Sequence, residues 1–513
     1  MRTTAKLCLS LLTLFALWTL ASEAAPGDRD PLKPAADIDR IINKKLKEAK
    51  LPASSTVDDA AFIRRASLDI IGRIPDAERV VAFLKDTDPD KRRKLIDELL
   101  ADNEYGEHFG AIWYHQMIKK DSDNRLLVSP AFGTWLSERF NKNTPWNKTV
   151  QDVLTAEGAR DKNPATIFWL AHVGPEREPE PNRVTATAMK FFLGIRLECC
   201  ECHDHPFTTL KQKDFWGVAA FFNQVDSDGT RNMQVKNGTE PSITENGPVK
   251  AKGKGAAKAP AGAPSGSIVI PDTNGKTVKA KYLLGAEPPV AGKPQLRPTF
   301  ATWATAPNNP FFAKAAVNRW WAHFFGRGLV SPIDDLQPSN KPSHPELLEL
   351  LTKEFTSSGF DLKYLIRCIC NSQAYQRSSA PRPENKQDVE LYSHAAVRMM
   401  TADMLFDSLE VALSHSPAGG KNAAAKRVNK AGGGPREQFR QFFHTEADDD
   451  ASAMADYAHG IPQVLRLMNS AQMNDTTTVV NRILKTESTP EKIVEALYLR
   501  ILSRLPTPSE TKR

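Results

Sequence analysis

Residues 62–84 read FIRRASLDIIGRIPDAERVVAFL and contain the pattern of a helix, a tight turn and a second helix. From Ala60 to Ile71, apolar residues recur at helical spacing while Arg64 and Arg65 fall outside the apolar stripe, which is typical of an amphipathic helix. A proline then interrupts the pattern, and Asp76 stands where it can cap the next helix. The stretch therefore predicts short helices joined by tight turns.

The same pattern continues on both sides of this stretch. Asp90 can cap a later helix, and an earlier helix carries an apolar stripe of Ile38, Ile41, Ile42, Leu46 and Ala49. Few segments alternate with period two, so the sequence predicts a mainly α protein with two helical domains. One exception is a small β-hairpin, predicted where Ser267–Ile270 and Thr277–Leu284 flank a turn at Asp272–Gly275.

The N-terminus has the layout of a secretory signal peptide over residues 1–24. Arg2 and Lys6 precede an apolar run from Leu7 to Leu20, and Ser22-Glu23-Ala24 forms a small-x-small cleavage site. We expect cleavage after Ala24 and export to the periplasm or cell envelope, with an uncleaved N-terminal anchor as the alternative. Because no later segment approaches about twenty uninterrupted apolar residues, the protein is not expected to be transmembrane after signal cleavage.

Composition divides the rest of the chain and argues against nucleic-acid binding. A net charge of +7 is small for 513 residues, and much of it lies in one Lys-rich segment rather than on a patterned face. That segment, 228–265, is rich in Gly, Ala, Pro, Lys and Ser, which predicts a disordered linker. It separates a helical domain at 36–226 from a short β segment at 266–296 and a second helical domain at 297–513. Each helical domain is long enough to bury its own core.

The segment CCECHDHPF, residues 199–207, carries the strongest chemical motif. Cys199, Cys202 and His203 form C-x-x-C-H, the pattern of covalent haem attachment. The two thiols would meet the two vinyl groups of haem c, and the imidazole would become an axial iron ligand. The sequence therefore predicts Cys199, Cys202 and His203 as cofactor-binding residues.

Two other chemistries fit the same residues. In an exported protein, Cys199 and Cys202 can close as a disulfide with His203 hydrogen-bonded nearby. Alternatively, His205 could join them around zinc or copper, although seven residues are cramped for four tetrahedral ligands. Asp204 could accept the ring proton of His203 or cap a helix or a turn, and the sequence leaves both roles open.

The remaining cysteines and histidines give weaker signals. A distal haem ligand could be His108, His115, His172 or Met117, but no spacing rule selects one of them. Cys368 and Cys370 lie two apart on a predicted helix, so their side chains point about 200° away from each other. We therefore interpret them as small buried hydrophobic residues.

The second domain allows an enzymatic interpretation. His323 with Asp334 or Asp335 could supply acid–base catalysis in an aromatic, sugar-binding groove, as in a carbohydrate-active enzyme. However, the neighbouring aromatic residues recur at helical spacing and favour a core role; they are Trp320, Trp321, Phe324 and Phe325. The catalytic signatures G-x-S-x-G, Walker loop and H-E-x-x-H do not occur.

The sequence of the turn between the two helices predicted in residues 62–84 recurs weakly near the C-terminus. Residues 71–76, IGRIPD, resemble residues 502–507, LSRLPT: an apolar helix end, an arginine, a proline turn and an N-cap residue. A helix follows the first copy. Only six residues follow the second, too few to offset helix nucleation, so we expect no helix there or a C-terminal truncation.

Long, specific stretches resemble two planctomycete families. Residues 36–226 are similar to the planctomycete cytochrome-like domain of unknown function, on FIRRASLDIIGRIPDAERVVAFL, DKRRKLIDELLADNEYGEHF and NRVTATAMKFFLGIRLECCECHDHPFTTLKQKDFWGVAAFF. Residues 297–513 resemble the planctomycete secreted domain that usually follows it, on NNPFFAKAAVNRWWAHFFGRGLVSPIDDLQPSNKPSHPELLELLTKEF and LIRCICNSQAYQRSS. The first family usually has a small residue where this chain has Cys200, and similar chains extend further at the C-terminus.

The resemblance implies no established activity, since both families lack one. The expected function is an exported cell-envelope protein of unknown physiological role that binds haem c and transfers electrons with a redox or envelope protein partner. A noncatalytic envelope binding or assembly protein with a structural Cys199–Cys202 disulfide is the alternative, and a carbohydrate-active enzyme is a further one.

Overall fold

The computed structural model confirms the mainly α class. It describes residues 29–513 except for 119–127, 175–178, 230–239, 246–265, 272, 284, 286, 289–294, 414–434, 444–464, 466–467 and 470–475. The predicted signal peptide and the predicted loop at 416–434 therefore lie outside the described residues. In the described part, nineteen α-helices are accompanied by two small sheets.

The helices lie on both sides of the predicted linker. Those before the linker are α1 (Leu32–Glu48), α2 (Asp59–Ile71), α3 (Ala77–Lys85), α4 (Lys91–Ala101), α5 (Asn103–Met117), α6 (Ala131–Asn141), α7 (Trp146–Leu154), α8 (Thr166–Ala171), α9 (Pro181–Leu193) and α10 (Gln212–Ala219). Those after it are α11 (Leu296–Ala304), α12 (Phe312–Phe325), α13 (Pro345–Ser357), α14 (Leu362–Cys370), α15 (Ala402–Leu413), α16 (Pro435–Phe443), α17 (Thr477–Thr486), α18 (Pro490–Leu502) and α19 (Pro508–Thr511). Two 3-10 helices span Glu198–Glu201 and Ala220–Phe222.

Residues 62–84 form the two helices and the tight turn that their sequence predicts. Asp58 caps α2 by accepting the Ala61 N–H at 2.8 Å, and Gly72 ends the helix in the left-handed region, where its lack of a Cβ removes the steric penalty. The predicted caps differ in detail. Asp76 and Asp90 occupy N-cap positions, but neither side chain caps its helix, because each carboxylate accepts from an arginine three residues away.

The two similar turns, at residues 71–76 and 502–507, also share structural features. Arg73 and Arg504 each donate to the carbonyl oxygen of the next residue at 3.0 Å, and the residue before each is left-handed. The expectation that no helix follows the second copy is wrong, because α19 forms one turn there. Thr507 and Glu510 form a capping box that satisfies the first N–H groups of this turn.

The two helical domains share one core, although each is long enough to bury a core of its own. A continuous cluster of buried apolar side chains extends from Ile38 to Leu499. Within it, α1 packs on α13 and α14, α9 packs on α12, and α7 packs on α11. The reason is that the apolar stripes of α1, α7 and α9 face helices of the other domain.

The β structure is small. The predicted hairpin is confirmed by β4 (Ser267–Val269) and β5 (Thr277–Lys279), which pair antiparallel. A second sheet, which the sequence did not predict, has the order β1 (Gly158–Ala159), β3 (Ser242–Thr244), β2 (Asp226–Asp228). Strand β3 lies inside the predicted linker and buries Ile243; segments 230–239 and 246–265 of that linker lie outside the described residues. No helix in the described part is long and apolar enough to cross a bilayer.

Candidate functional site: the C-x-x-C-H turn

The C-x-x-C-H motif lies on the 3-10 turn that follows α9. The Cys200 N–H donates to the Leu197 carbonyl at 2.8 Å, and the His203 N–H donates to the Cys199 carbonyl at 3.3 Å. The Glu201 carbonyl accepts the Trp216 indole N–H at 3.0 Å and the Gln212 side-chain amide at 3.3 Å. These bonds to α10 hold the turn in place.

Residues of the second domain support the chain just before the turn. The Leu336 N–H donates to the Gly194 carbonyl at 2.9 Å, and Ile195 forms a β-bridge with Asp335. Gly194 is left-handed, and a Cβ there would lie 2.9 Å from a methyl group of Leu336. The C-x-x-C-H turn therefore starts from a point fixed between both domains.

The three cysteines of the turn differ in accessibility. Cys199 and Cys202 are exposed and Cys200 is fully buried, and all three are free thiols. Burial raises the pKa of the Cys200 thiol to about 11, so its nucleophilic thiolate form is scarce near neutral pH. Only the two outer thiols are placed to react with a molecule arriving from solvent.

His203 is exposed and its ring orientation is set by the backbone. Its Nδ1 lies 2.8 Å from the Asp204 carbonyl oxygen. Since a carbonyl oxygen can only accept, Nδ1 is the donor in this contact, and in the neutral imidazole the lone pair then lies on Nε2, the nitrogen that would ligate a metal. A backbone carbonyl on Nδ1 is a common partner of an imidazole that ligates through Nε2.

Asp204 caps the next helix and does not orient His203 through its carboxylate. The carboxylate accepts the Gln212 N–H at 2.9 Å and pairs with Lys211 at 3.2 Å. The backbone hydrogen bond first, and the lysine second, lower the pKa of this carboxyl. Of the two roles that the sequence left open, the geometry shows the capping role.

His205 makes hydrogen bonds within the loop that follows it. Its N–H donates to the Leu210 carbonyl at 3.0 Å, and its Nδ1 accepts the Phe207 N–H at 3.1 Å. Phe207 itself is 88% exposed at the tip of this loop. Among the described residues, no group of three or more His, Cys, Asp or Glu side chains is arranged to hold a metal ion.

The four candidate distal haem ligands differ from one another in their surroundings. His172 is buried, with Nδ1 2.6 Å from the Phe168 carbonyl and Nε2 2.8 Å from the Thr187 hydroxyl, so both ring nitrogens are engaged. His115 contacts Arg440 and Asp403. The His108 ring is tilted against the His323 ring, with centroids 5.7 Å apart, and Met117 lies in the core. The geometry selects none of them.

Two family models cover most of the chain. Residues 37–227 match PSCyt2, a protein of unknown function (DUF1549), and residues 296–513 match PSD1, a protein of unknown function (DUF1553). The chain thus contains one region that matches each family. The resemblance and its order are confirmed, and the matched ranges differ by one residue at most from 36–226 and 297–513. No curated protein and no solved structure matched the chain.

The PSD1 domain does not bring the residues of the enzymatic interpretation into one open site. Asp334 is 1% exposed and pairs with Arg319, whereas Asp335 accepts from the side-chain amide of Asn340 at 3.1 Å. The His323 Nε2 lies 2.8 Å from the Asp69 carbonyl, and burial lowers its pKa. The neighbouring aromatic residues are buried, as expected of core residues; they are Trp320, Trp321, Phe324 and Phe325.

Cys368 and Cys370 are buried free thiols, in agreement with their predicted core role. Burial raises the pKa of Cys368 to about 12 and that of Cys370 well above its usual value. Gln212 and Trp216 fix the C-x-x-C-H turn and were not predicted from the sequence. Their hydrogen bonds reach back ten to fifteen residues, and no local spacing rule indicates such contacts.

Proposed function

We propose that the PSCyt2 domain carries haem c attached to Cys199 and Cys202, and that the protein transfers electrons outside the cytosol. The observation that carries this proposal is the C-x-x-C-H turn itself. It presents two exposed thiols on either side of a buried one, next to an imidazole whose Nδ1 is already engaged. When bound, a haem of this kind supplies one-electron redox chemistry.

Each residue of the turn has a separate task in this proposal. Cys199 and Cys202 form the thioether bonds, and burial keeps Cys200 out of the attachment reaction. His203 would hold the iron through Nε2, while the Asp204 carbonyl holds Nδ1. Gln212 also donates to the Cys202 carbonyl at 2.9 Å, so α10 fixes the second attachment position as well.

The compartment is part of the proposal. Residues 1–24 have the pattern of a secretory signal peptide, and stable disulfides belong outside the reducing cytosol, as does haem attachment through C-x-x-C-H. We place the protein in the periplasm or cell envelope, where its partner would be a redox or envelope protein.

A second function rests on the same two thiols. Cys199 and Cys202 are both exposed and three residues apart, so they can also close as a disulfide in an oxidising compartment. In that case the protein would be a noncatalytic envelope binding or assembly protein.

Purified protein from a host with a working haem-attachment system distinguishes the two functions. Covalent haem gives a reducible Soret band that remains with the denatured chain. C199S or C202S should weaken or abolish this retention, and H203A should change the spectrum or block maturation. C200A is the matched control and should retain the haem. Colourless protein in which Cys199 and Cys202 are oxidised to each other would overturn the haem proposal and favour the envelope-assembly function.

A further inference from the structure

A small cavity lies between α5 of the PSCyt2 domain and α12 of the PSD1 domain. Its volume is about 20 Å³, and a water molecule needs roughly 10–15 Å³ on this measure. The cavity therefore has room for one water, not for a sugar or a cofactor. Its lining residues are Phe109, Ile112, Trp113, Gln116, Arg319, Trp320, His323 and Ile333.

Three polar atoms of the lining side chains have no hydrogen-bond partner among the described residues. They are Trp320 Nε1, Arg319 Nη1 and Gln116 Oε1. Trp320 is 2% exposed and Arg319 is 7% exposed, so bulk water does not reach these donors. Buried polar groups in folded proteins nearly always have a protein or water partner, and leaving one without a partner destabilises the fold.

The charges around the cavity decide what kind of molecule fits. A second guanidinium nitrogen of Arg319, Nη2, already pairs with Asp334, which is 1% exposed. The buried pair is neutral overall, so the cavity has no net positive charge to attract an anion. Two donors and one acceptor remain, and a water molecule can accept from the first two while it donates to the third.

We propose that this cavity is a binding site for one internal water molecule that links the two domains. The water accepts from the Trp320 indole and the Arg319 guanidinium in α12 and donates to the Gln116 amide oxygen in α5. It completes the polar contacts at a joint that is otherwise apolar and aromatic, since Phe109 and Trp320 have ring centroids 4.4 Å apart there. This site is independent of the proposed haem.

Water–protein NOE spectroscopy on deuterated full-length protein with ¹⁵N-labelled tryptophan tests the proposal. The Trp320 indole proton should show a cross peak to a long-lived water, and W320F assigns that signal. Trp169 is the internal control, because its fully buried indole donates directly to the Val153 carbonyl at 2.9 Å and should show none.

Removing the acceptor gives a second readout. Q116L should weaken or abolish the Trp320 cross peak while the Trp169 signal stays unchanged. A folded wild type whose Trp320 indole shows no water contact would overturn the proposal, as would ¹²⁹Xe binding at this cavity, because xenon occupies dry apolar cavities.

Discussion

Replacement of Arg297 by methionine tests how the two domains are joined. This side chain is fully buried at the start of the PSD1 domain and lies over the Trp169 ring at 4.8 Å. It donates to Glu157 at 2.8 Å and to the Ala156 carbonyl at 3.0 Å, both in the PSCyt2 domain, and to Glu245 at 3.1 Å. The Glu245 side chain is only 4% exposed, whereas that of Glu157 is 52% exposed.

The expected loss of stability follows from the difference in exposure between Glu245 and Glu157. Methionine keeps the apolar contact with the tryptophan but leaves Glu245 as a buried carboxylate without its cation. Removing one partner of a buried ion pair typically costs about 3–5 kcal/mol, and the exposed Glu157 contact adds little. We expect R297M to lower the free energy of unfolding by about that amount, measured by urea denaturation at pH 7 with tryptophan fluorescence and circular dichroism.

Two further variants show whether the cause is the unpaired charge. E245Q added to R297M removes the charge that lost its partner, so the double variant should recover much of the stability. R40M breaks the Arg40–Glu346 pair, whose side chains are 57% and 53% exposed, and should leave the urea midpoint unchanged. The reasoning is refuted if R297M costs less than about 1 kcal/mol or if E245Q does not restore stability.

Three other outcomes are expected. D58A and T489A each remove a side-chain cap, of α2 and α18 respectively, and should each lower the unfolding free energy by about 1 kcal/mol in urea titrations; no change would contradict the caps. Limited trypsin digestion should cut first near Lys250–Lys258, and the two fragments should co-elute in native gel filtration because their core is shared; separate elution would contradict this. N-terminal sequencing of envelope protein should begin at or near Ala25, whereas intact Met1 in the membrane fraction would favour an anchor.

Local signals in the sequence predicted the helices and the C-x-x-C-H residues. Apolar spacing placed α1 and α2 because a helical stripe is determined by residues three and four apart. The hairpin of β4 and β5 was predicted for the same reason, since its turn and both strands lie within eighteen residues. Asp76 and Asp90 show the limit of such rules: each stands at a cap position, but a nearby arginine competes for the carboxylate.

Contacts between distant residues could not be predicted. Arg65 was expected only to lie outside an apolar stripe, yet it donates to the carbonyls of Tyr375 and Arg377 at 2.5 and 2.7 Å. Asp69 accepts from the Tyr375 hydroxyl at 2.8 Å and pairs with Arg398. Local periodicity carries no information about a partner that lies about three hundred residues away. For the same reason, the core shared by the two domains could not be predicted from the sequence.

The shared core bears on the candidate site as well as on stability. Helix α9 leads into the C-x-x-C-H turn and packs on α12 of the PSD1 domain, and Gly194 and Ile195 bond directly to Leu336 and Asp335. The position of the C-x-x-C-H turn is therefore set by both domains together, although the motif lies in only one of them. Because the entropic cost of closing a connecting loop grows slowly with its length, a long linker between the two domains does not prevent them from packing on each other. The second domain thus fixes the backbone from which the first presents its thiols and imidazole.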